Sequence, residues 1–252
     1  MTPAQTTSQT AIARATSTRG RVARPTARTT GLAYLGIVLC GLFAEFVVRM
    51  SLVSPGDAVA TAESIAASPW LFGSGIGADV VMIALDVTVA FGLYRLLRHV
   101  DERLALVATV ARLVQAAVLT ANLVNPLRAL GHARDAVAGV PGAADAALGA
   151  METHALVYDV GLIAFAVSCL AVARLLSTTG VVPRLLWLGM AATGVVYLVG
   201  SLAAVFAPTL SAAIDPFYLV AIVVEPAFAL WLVLRGRRLE PTTAPAPAHT
   251  LA

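Results

Sequence analysis

The stretch Leu104–Leu127, LALVATVARLVQAAVLTANLVNPL, is apolar enough to lie in lipid, yet it carries Arg112, Gln115, Asn122 and Asn125. A charged side chain at mid-membrane costs about 2.5–3.5 kcal/mol even on the lenient insertion scale, so these groups face other helices. The interior they face is therefore polar. Every other long apolar run except the fifth supplies a carboxylate of its own: Glu45, then Asp79 and Asp86, then Asp159, then Glu225.

The composition admits only a membrane class. Hydrophobic residues make up 59% of the 252 residues and charged residues 12%. Soluble chains carry about 25% charged residues. Six runs are long enough to cross about 30 Å of hydrocarbon at 1.5 Å per residue. They cover 32–52, 70–96, 104–127, 153–175, 185–207 and 217–235, which predicts an all-α polytopic membrane protein, a bundle of six transmembrane helices over 31–235. The first run follows a basic segment and precedes Ala58-Val59-Ala60, as in a secretory signal. It is too long for a signal core and carries Glu45 and Arg49, so it is read as a span.

Residues 1–30 are rich in Thr, Ala and Arg without an acid, and 236–252 end in a Pro- and Ala-rich stretch. Both are expected to be disordered cytoplasmic tails. Between the spans, Pro55-Gly56-Asp57 signals a turn before a short alanine-rich interfacial helix. The stretch Arg128 to Glu152, with Pro141-Gly142, is expected to be the longest loop.

Orientation follows from arginine, since all 17 basic residues are arginine. With the N-terminus inside, Arg95, Arg98, Arg103, Arg174, Arg184, Arg235, Arg237 and Arg238 join the five arginines of the N-terminal tail on the cytoplasmic side. Only Arg128 and Arg134 lie outside, so the positive-inside rule places both termini in the cytoplasm. The arginine- and alanine-rich composition fits a GC-rich bacterial genome, hence a bacterial inner membrane. The basic segments Arg95 to Arg103 and Arg235 to Arg238 suit anionic lipid heads rather than nucleic acid. Nothing in the sequence identifies a protein partner, so the bilayer is the one partner expected outright.

Helical geometry tests whether the polar groups can meet. Residues seven apart lie about 20° from one another on a helix. Asp79 and Asp86 share that spacing, as do Gln115 and Asn122, and Tyr218 and Glu225. Arg112 lies within about 80° of Gln115 and Asn122, so the third span carries one polar stripe. Glu45 and Arg49 stand four apart with the acid first, the favourable order for an ion pair within a helix. Arg49 is otherwise expected to snorkel to the outer interface. His154 and Tyr158 repeat the spacing of four at the start of the fourth span, beside Asp159. At such a helix end His154 reads as a hydrogen-bonded interface histidine. By depth, Glu45, Asp79, Asn122, Asn125, His154, Tyr158 and Asp159 fall in the outer half of the bilayer, with Asp86, Gln115 and Glu225 near its middle. A cavity open to the outside is the expectation. Five carboxylates face two arginines there, and protonated carboxyls, a bound cation or water would balance them.

Several features speak for or against particular chemistries. Cys40 and Cys169 show no metal spacing and read as small packing residues. Only His154 falls in a span, and no GxSxG or HExxH motif appears, so neither a metal site nor a cofactor is expected. Gly73 and Gly77, four apart, suit close helix packing. Pro226, directly after Glu225, removes a backbone donor within the sixth span. Trp70, Trp187 and Trp231 read as interfacial anchors.

The segments Gly41-Leu-Phe-Ala-Glu-Phe-Val-Val-Arg49, Pro55-Gly-Asp57, Leu93-Tyr-Arg-Leu-Leu-Arg98 and Arg112-Leu-Val-Gln-Ala-Ala117 belong together with Asn122, Asn125, His154, Tyr158-Asp-Val-Gly161 and Pro183-Arg184. As a set they resemble the bacterial membrane family known as domain of unknown function 4386, over about residues 31 to 235. The resemblance implies an integral membrane protein without an established activity. Ser168 stands where that family is expected to carry a histidine. The sequence thus points to a polar cluster that binds a cation or small molecule for transport or sensing. The alternatives are a metal-independent intramembrane enzyme using Asp or Glu with His154, and a structural or partner-binding subunit whose polar groups fasten helices together.

Overall fold

The computed structural model describes residues 26–240, and among them there is no strand. Six helical stretches are long and apolar enough to span a membrane. α1 is Ala27–Leu52, α2 Ala58–Ala67, α3 Pro69–Leu97, α4 Glu102–Asn122, α5 Val124–Val137, α6 Ala143–Thr179, α7 Arg184–Phe206, α8 Pro208–Ile214 and α9 Leu219–Arg235. The spans are α1, α3, α4 with α5, α6, α7 and α9. Each packs on the next, and α9 returns to α1, closing a ring.

The helix starts follow from local chemistry. Thr26 and Thr29 form a reciprocal capping box at α1. Asp57 accepts from Ala60 N–H at 2.9 Å and Asp101 from Leu104 N–H at 3.0 Å, satisfying donors that α2 and α4 would otherwise leave free. Gly56, at φ 76°, makes the turn expected before α2. The Thr61 hydroxyl then pins that turn through Ser54, accepting from its N–H and donating to its carbonyl.

Small residues let the ring close. A Cβ on Gly31 would stand 2.7 Å from the Ala229 carbonyl oxygen and the Val233 nitrogen of α9, so α1 and α9 meet backbone to backbone. Gly194 makes a similar approach to α6 and Gly189 to Val224 of α9. In lipid, where hydrophobic burial does not drive helices together, such close packing replaces it. Outward, the ring presents Leu39, Val110, Leu185 and Leu234, as a lipid-facing surface should. The C-terminal end of α9 is tied to the start of α1, where Ala27 N–H donates to Glu240 Oε1 at 3.0 Å.

Several sequence expectations change. The presumed loop Arg128 to Glu152 is mostly helix, because α5 runs to Val137 and α6 starts at Ala143 after a short turn. Its alanines carry the buried stripe, Ala129, Ala133 and Ala147, while Arg128, Arg134, Asp135, Asp145 and Glu152 stay exposed. Polar content suggested a loop, but it marks the exposed face of an amphipathic hairpin. With α2 this hairpin forms an apolar cap at the end opposite the arginine-rich one, around Ile65, Phe72 and Met151. The expected N-terminal tail ends earlier, since Ala27 to Thr30 are helical, and Gly236–Leu239 form a 3-10 turn with Leu239 buried. Residues 1–25 and 241–252 lie outside the described part. Trp231 is buried in the core rather than interfacial, whereas Trp70 is exposed. Gly73 and Gly77 face open space, and it is Gly75, between them, that packs against Val48.

This contrast is testable by thermal unfolding of detergent-purified protein. Gly31→Ala forces a Cβ onto backbone atoms and should destabilise by about 1–3 kcal/mol. Gly73→Ala adds a methyl in open space and should be neutral or stabilising by up to about 1 kcal/mol through helix propensity.

Candidate functional site

The polar residues form two tiers inside the ring. Asp79 and Asp86 share one face of α3, about 10 Å apart at 1.5 Å per residue, and each holds a different arginine.

The inner tier is built on Arg112. Its Nη2 lies 2.6 Å from Asp86 Oδ1, and its guanidinium sits between the rings of Tyr34, at 4.9 Å, and Phe165, at 4.7 Å. Arg112 is 2% exposed, so this is a buried cation held by one carboxylate and two aromatic faces. Glu225 has a different environment, since the Tyr197 hydroxyl donates to its Oε1 at 2.5 Å. The Tyr197 ring packs between Phe165 and Tyr218, with centroids 5.5 and 5.7 Å away. Ser201 donates to Asp159 Oδ1 at 3.5 Å, a long contact. Gln115 is buried, and its Oε1 has no hydrogen-bond partner among the described residues. A narrow crevice with a free volume of about 10 Å³ runs from Arg112 toward the arginine-rich end, with Thr109 and Ser168 in its wall. Ser168 is thus buried beside Arg112, at the position where the family resemblance led us to expect a histidine.

The second tier, nearer the α2 cap and outer in the orientation that arginine placement predicts, is built on Arg49. Its Nε donates to Glu45 Oε2 at 2.8 Å and its Nη1 to Asp79 Oδ2 at 2.9 Å. A π-helical turn, Phe43–Arg49, accommodates one extra residue in α1 at this point. Such turns re-aim side chains, and here Arg49 points into the bundle rather than out to the interface as its snorkelling reading had it. Glu45 lies at the rim, its side chain 53% exposed, so it does not share the buried environment expected for it. The second backbone irregularity is the break between α4 and α5. Pro126 has no N–H to offer the Asn122 carbonyl four residues back. At that break Asn125 Nδ2 donates to Asn122 Oδ1 at 2.8 Å, and Asn122 Nδ2 donates to the His154 carbonyl at 2.9 Å.

His154 is not at a helix end, because α6 begins eleven residues before it. It is 5% exposed, its ring lies 6.2 Å from that of Tyr158 and interacts with the Asn122 backbone, and neither ring nitrogen makes a well-formed hydrogen bond among the described residues. The interface histidine expected from the sequence is therefore a buried one, set against the break after Asn122. The open cavity expected is likewise smaller, a crevice with a free volume of about 10 Å³, room for one water, lined by Arg49, Asp79, Phe72, Met151 and Pro126. Among the described residues, no group of three or more His, Cys, Asp or Glu stands close enough to hold a metal.

Of the residues singled out in the sequence, Asp86, Arg112, Gln115, Glu225 and Asp159 fall in the inner part. Glu45, Asp79, Asn122, Asn125 and His154 fall in the outer part. Tyr158 stands between them, within electrostatic reach of Arg49, Asp79 and Glu225. Sequence reasoning passed over Tyr34, Phe165, Tyr197, Phe72 and Met151. The available signal was tyrosine: all five pack into or against the main core, Tyr34, Tyr158, Tyr197 and Tyr218 within the bundle. Only Tyr94 stands at the basic end, bonded to Glu102 at 3.0 Å.

A ring of six apolar helices around a layer of buried charges defines a multi-pass membrane protein with a polar interior. The chain belongs to the family described as Domain of unknown function (DUF4386), which matches residues 29–236. An uncharacterized protein of Archaeoglobus fulgidus is 29% identical over 163 residues, covering 63% of this chain and 82% of that protein. No solved structure matches the chain.

The Arg112–Asp86 pair can be weighed by a double-mutant cycle. Arg112→Met or Asp86→Leu alone leaves a buried charge unpaired and should cost about 3–5 kcal/mol. The double variant, with no charge to hide, should recover more than half of that loss. An average polar contact between membrane helices, about 0.6 kcal/mol, would give a much smaller coupling. Thermal unfolding of the four proteins distinguishes the two magnitudes.

Proposed function

We propose that the two polar tiers form a binding site for a cation or small molecule in a multi-pass protein of a bacterial cell membrane, used for transport or sensing. The supporting observation is a set of buried polar atoms without a well-formed hydrogen bond among the described residues: Asp79 Oδ1, Asp86 Oδ2, Gln115 Oε1 and both ring nitrogens of His154, together with Tyr34 Oη, Arg112 Nε and Thr193 Oγ1. Each such atom costs about 1–3 kcal/mol when nothing meets it. Fasteners between helices would be saturated, whereas a site keeps acceptors free for what it binds.

The charge inventory supports a cation. Asp79, Asp86, Asp159 and Glu225 lie inside the ring or partly so, against Arg49 and Arg112. Glu225 is hydrogen-bonded by the Tyr197 phenol, with Arg112 within electrostatic reach, and Pro226 beside it removes the donor for the carbonyl of Ile222 in the previous turn. Free backbone carbonyls and broken helices at mid-membrane recur where transporters bind ions. Arginine placement supports entry from the outer face, with both termini cytoplasmic.

Two measurements test this reading. A reporter active only in the cytoplasm should be active when fused after Ala252, and a cysteine introduced at Asp57 should react with an impermeant maleimide in intact cells. The reverse pattern inverts the topology. For the site, purified protein is melted across pH and a panel of cations and small amines, beside Asp86→Asn and Glu225→Gln. A ligand at 100 times its Kd stabilises by about 2.7 kcal/mol. The expected result is a condition that raises Tm in the natural protein and loses its effect in a variant. Earlier melting of both variants with no ligand response anywhere would make the layer a fastener.

A further inference from the structure

We infer that Glu225 is the cation-binding group of the inner tier and that the cation it takes is a proton, drawn from water and returned to it. This rests on the polar layer being a cation site and names the ligand of its inner part.

The room available limits what can enter. The crevice beside Arg112 and the one beside Arg49 each have a free volume of about 10 Å³, enough for one water. A metal ion brings its own volume and takes about four to eight ligands. Among the described residues no group of three or more His, Cys, Asp or Glu stands ready to supply them. A proton adds no volume and needs one oxygen.

Charge selects the oxygen. Glu225 is 7% exposed and forms no ion pair among the described residues, whose buried arginines are committed to Asp86, Asp79 and Glu45. The ionisable groups that face it are Tyr34 from α1, Asp86 from α3, Arg112 from α4, Tyr158 and Cys169 from α6, and Tyr197 from α7. Arg112 is the one cation in that set, and Asp86 already holds it at 2.6 Å. An ionised Glu225 is then one charge in excess, where an unpaired carboxylate is costly. Protonation cancels that charge without moving a helix.

The partners of the two carboxylates divide their roles. Arginine only donates, so Arg112 holds Asp86 as an anion. A phenol both donates and accepts. Tyr197 Oη donates to Glu225 Oε1 at 2.5 Å when Glu225 is ionised, and by turning its hydrogen it accepts from the carboxyl once a proton is bound. Its ring is clamped between Phe165 and Tyr218, so the oxygen stays in place while the hydrogen turns. The step forms one O–H bond on Glu225 and breaks one in hydronium, leaving water. Tyr197 is its positioning residue.

The test is infrared spectroscopy of the full chain in detergent from about pH 6 to about pH 10, a range in which exposed carboxylates stay ionised. A carboxylic acid C=O band should be present at the acid end, shift in heavy water and disappear reversibly toward the alkaline end. It should be absent from Glu225→Gln and kept in Asp159→Asn, the other inner carboxylate outside the Arg112 pair. Glu225→Gln mimics the protonated acid and should change Tm by less than about 3 °C. Tyr197→Phe should keep the band but move its frequency, and move its titration midpoint by about one pH unit or more. Should Glu225→Gln fail to fold, that frequency change assigns the band to the carboxyl the phenol touches. A band lost in Asp159→Asn instead, a band that does not titrate, or a fall in Tm for Glu225→Gln as large as that for Asp86→Asn overturns the proton site. If no band is seen while another cation stabilises the protein and loses its effect in Asp86→Asn, the polar layer stands as a site with a different ligand. Neither a band nor a response to any cation removes both readings.

Discussion

The constraint on which the structure depends is the permanent charge of Arg112. A guanidinium does not shed its proton in a protein, so the fold must bring compensating groups to it. It does so from three directions: Asp86 from α3, Tyr34 from α1 and Phe165 from α6. Those contacts fix the rotation of four helices relative to one another. Once the four are oriented, α7 and α9 close the ring and bring Tyr197 and Glu225 together within it.

Away from the polar groups the ring is apolar and tightly packed. One apolar cluster fills the basic end, from Ala27 to Leu239, and a smaller one under α2 and the α5–α6 hairpin seals the opposite end. Irregular backbone at membrane depth is tolerated only where protein surrounds it. Two irregularities of this fold, the π-helical turn of α1 and the break after Asn122, lie in the outer tier, while a third, Pro226, adjoins Glu225. The first turns Arg49 toward Asp79, and the second presents Asn122 and Asn125 beside His154. Their coincidence makes the outer tier the least regular and the most polar part of the interior.

Much of this was legible in one dimension. Long apolar runs are unmistakable because lipid demands them, and the polar stripe of α4 is visible because helical spacing converts sequence distance into angle. The face shared by Asp79 and Asp86 was readable for that reason. That each aspartate would hold a different arginine was not, since a wheel describes one helix at a time. The alanine hairpin after Asn125 was misjudged because alanine contributes little apolar signal, although it packs well on a neighbouring helix. Glu45 misled in the opposite sense, since its place in an apolar run says nothing about whether it points inward, and the wide turn left it at the rim.

The sequence by itself determined that this chain is a six-span helical membrane protein with a charged interior, because hydropathy, span length and the cost of burying Arg112 are local quantities. Only the tertiary structure decided which charges meet and which acceptors stay free. Pairing Arg49 with Asp79, wrapping Arg112 in two aromatic rings and burying His154 against the break after Asn122 all require the mutual rotation of separate helices. That rotation is set by close packing at positions such as Gly31 and Gly194, and by π and proline irregularities whose effects appear only when neighbouring helices are in place.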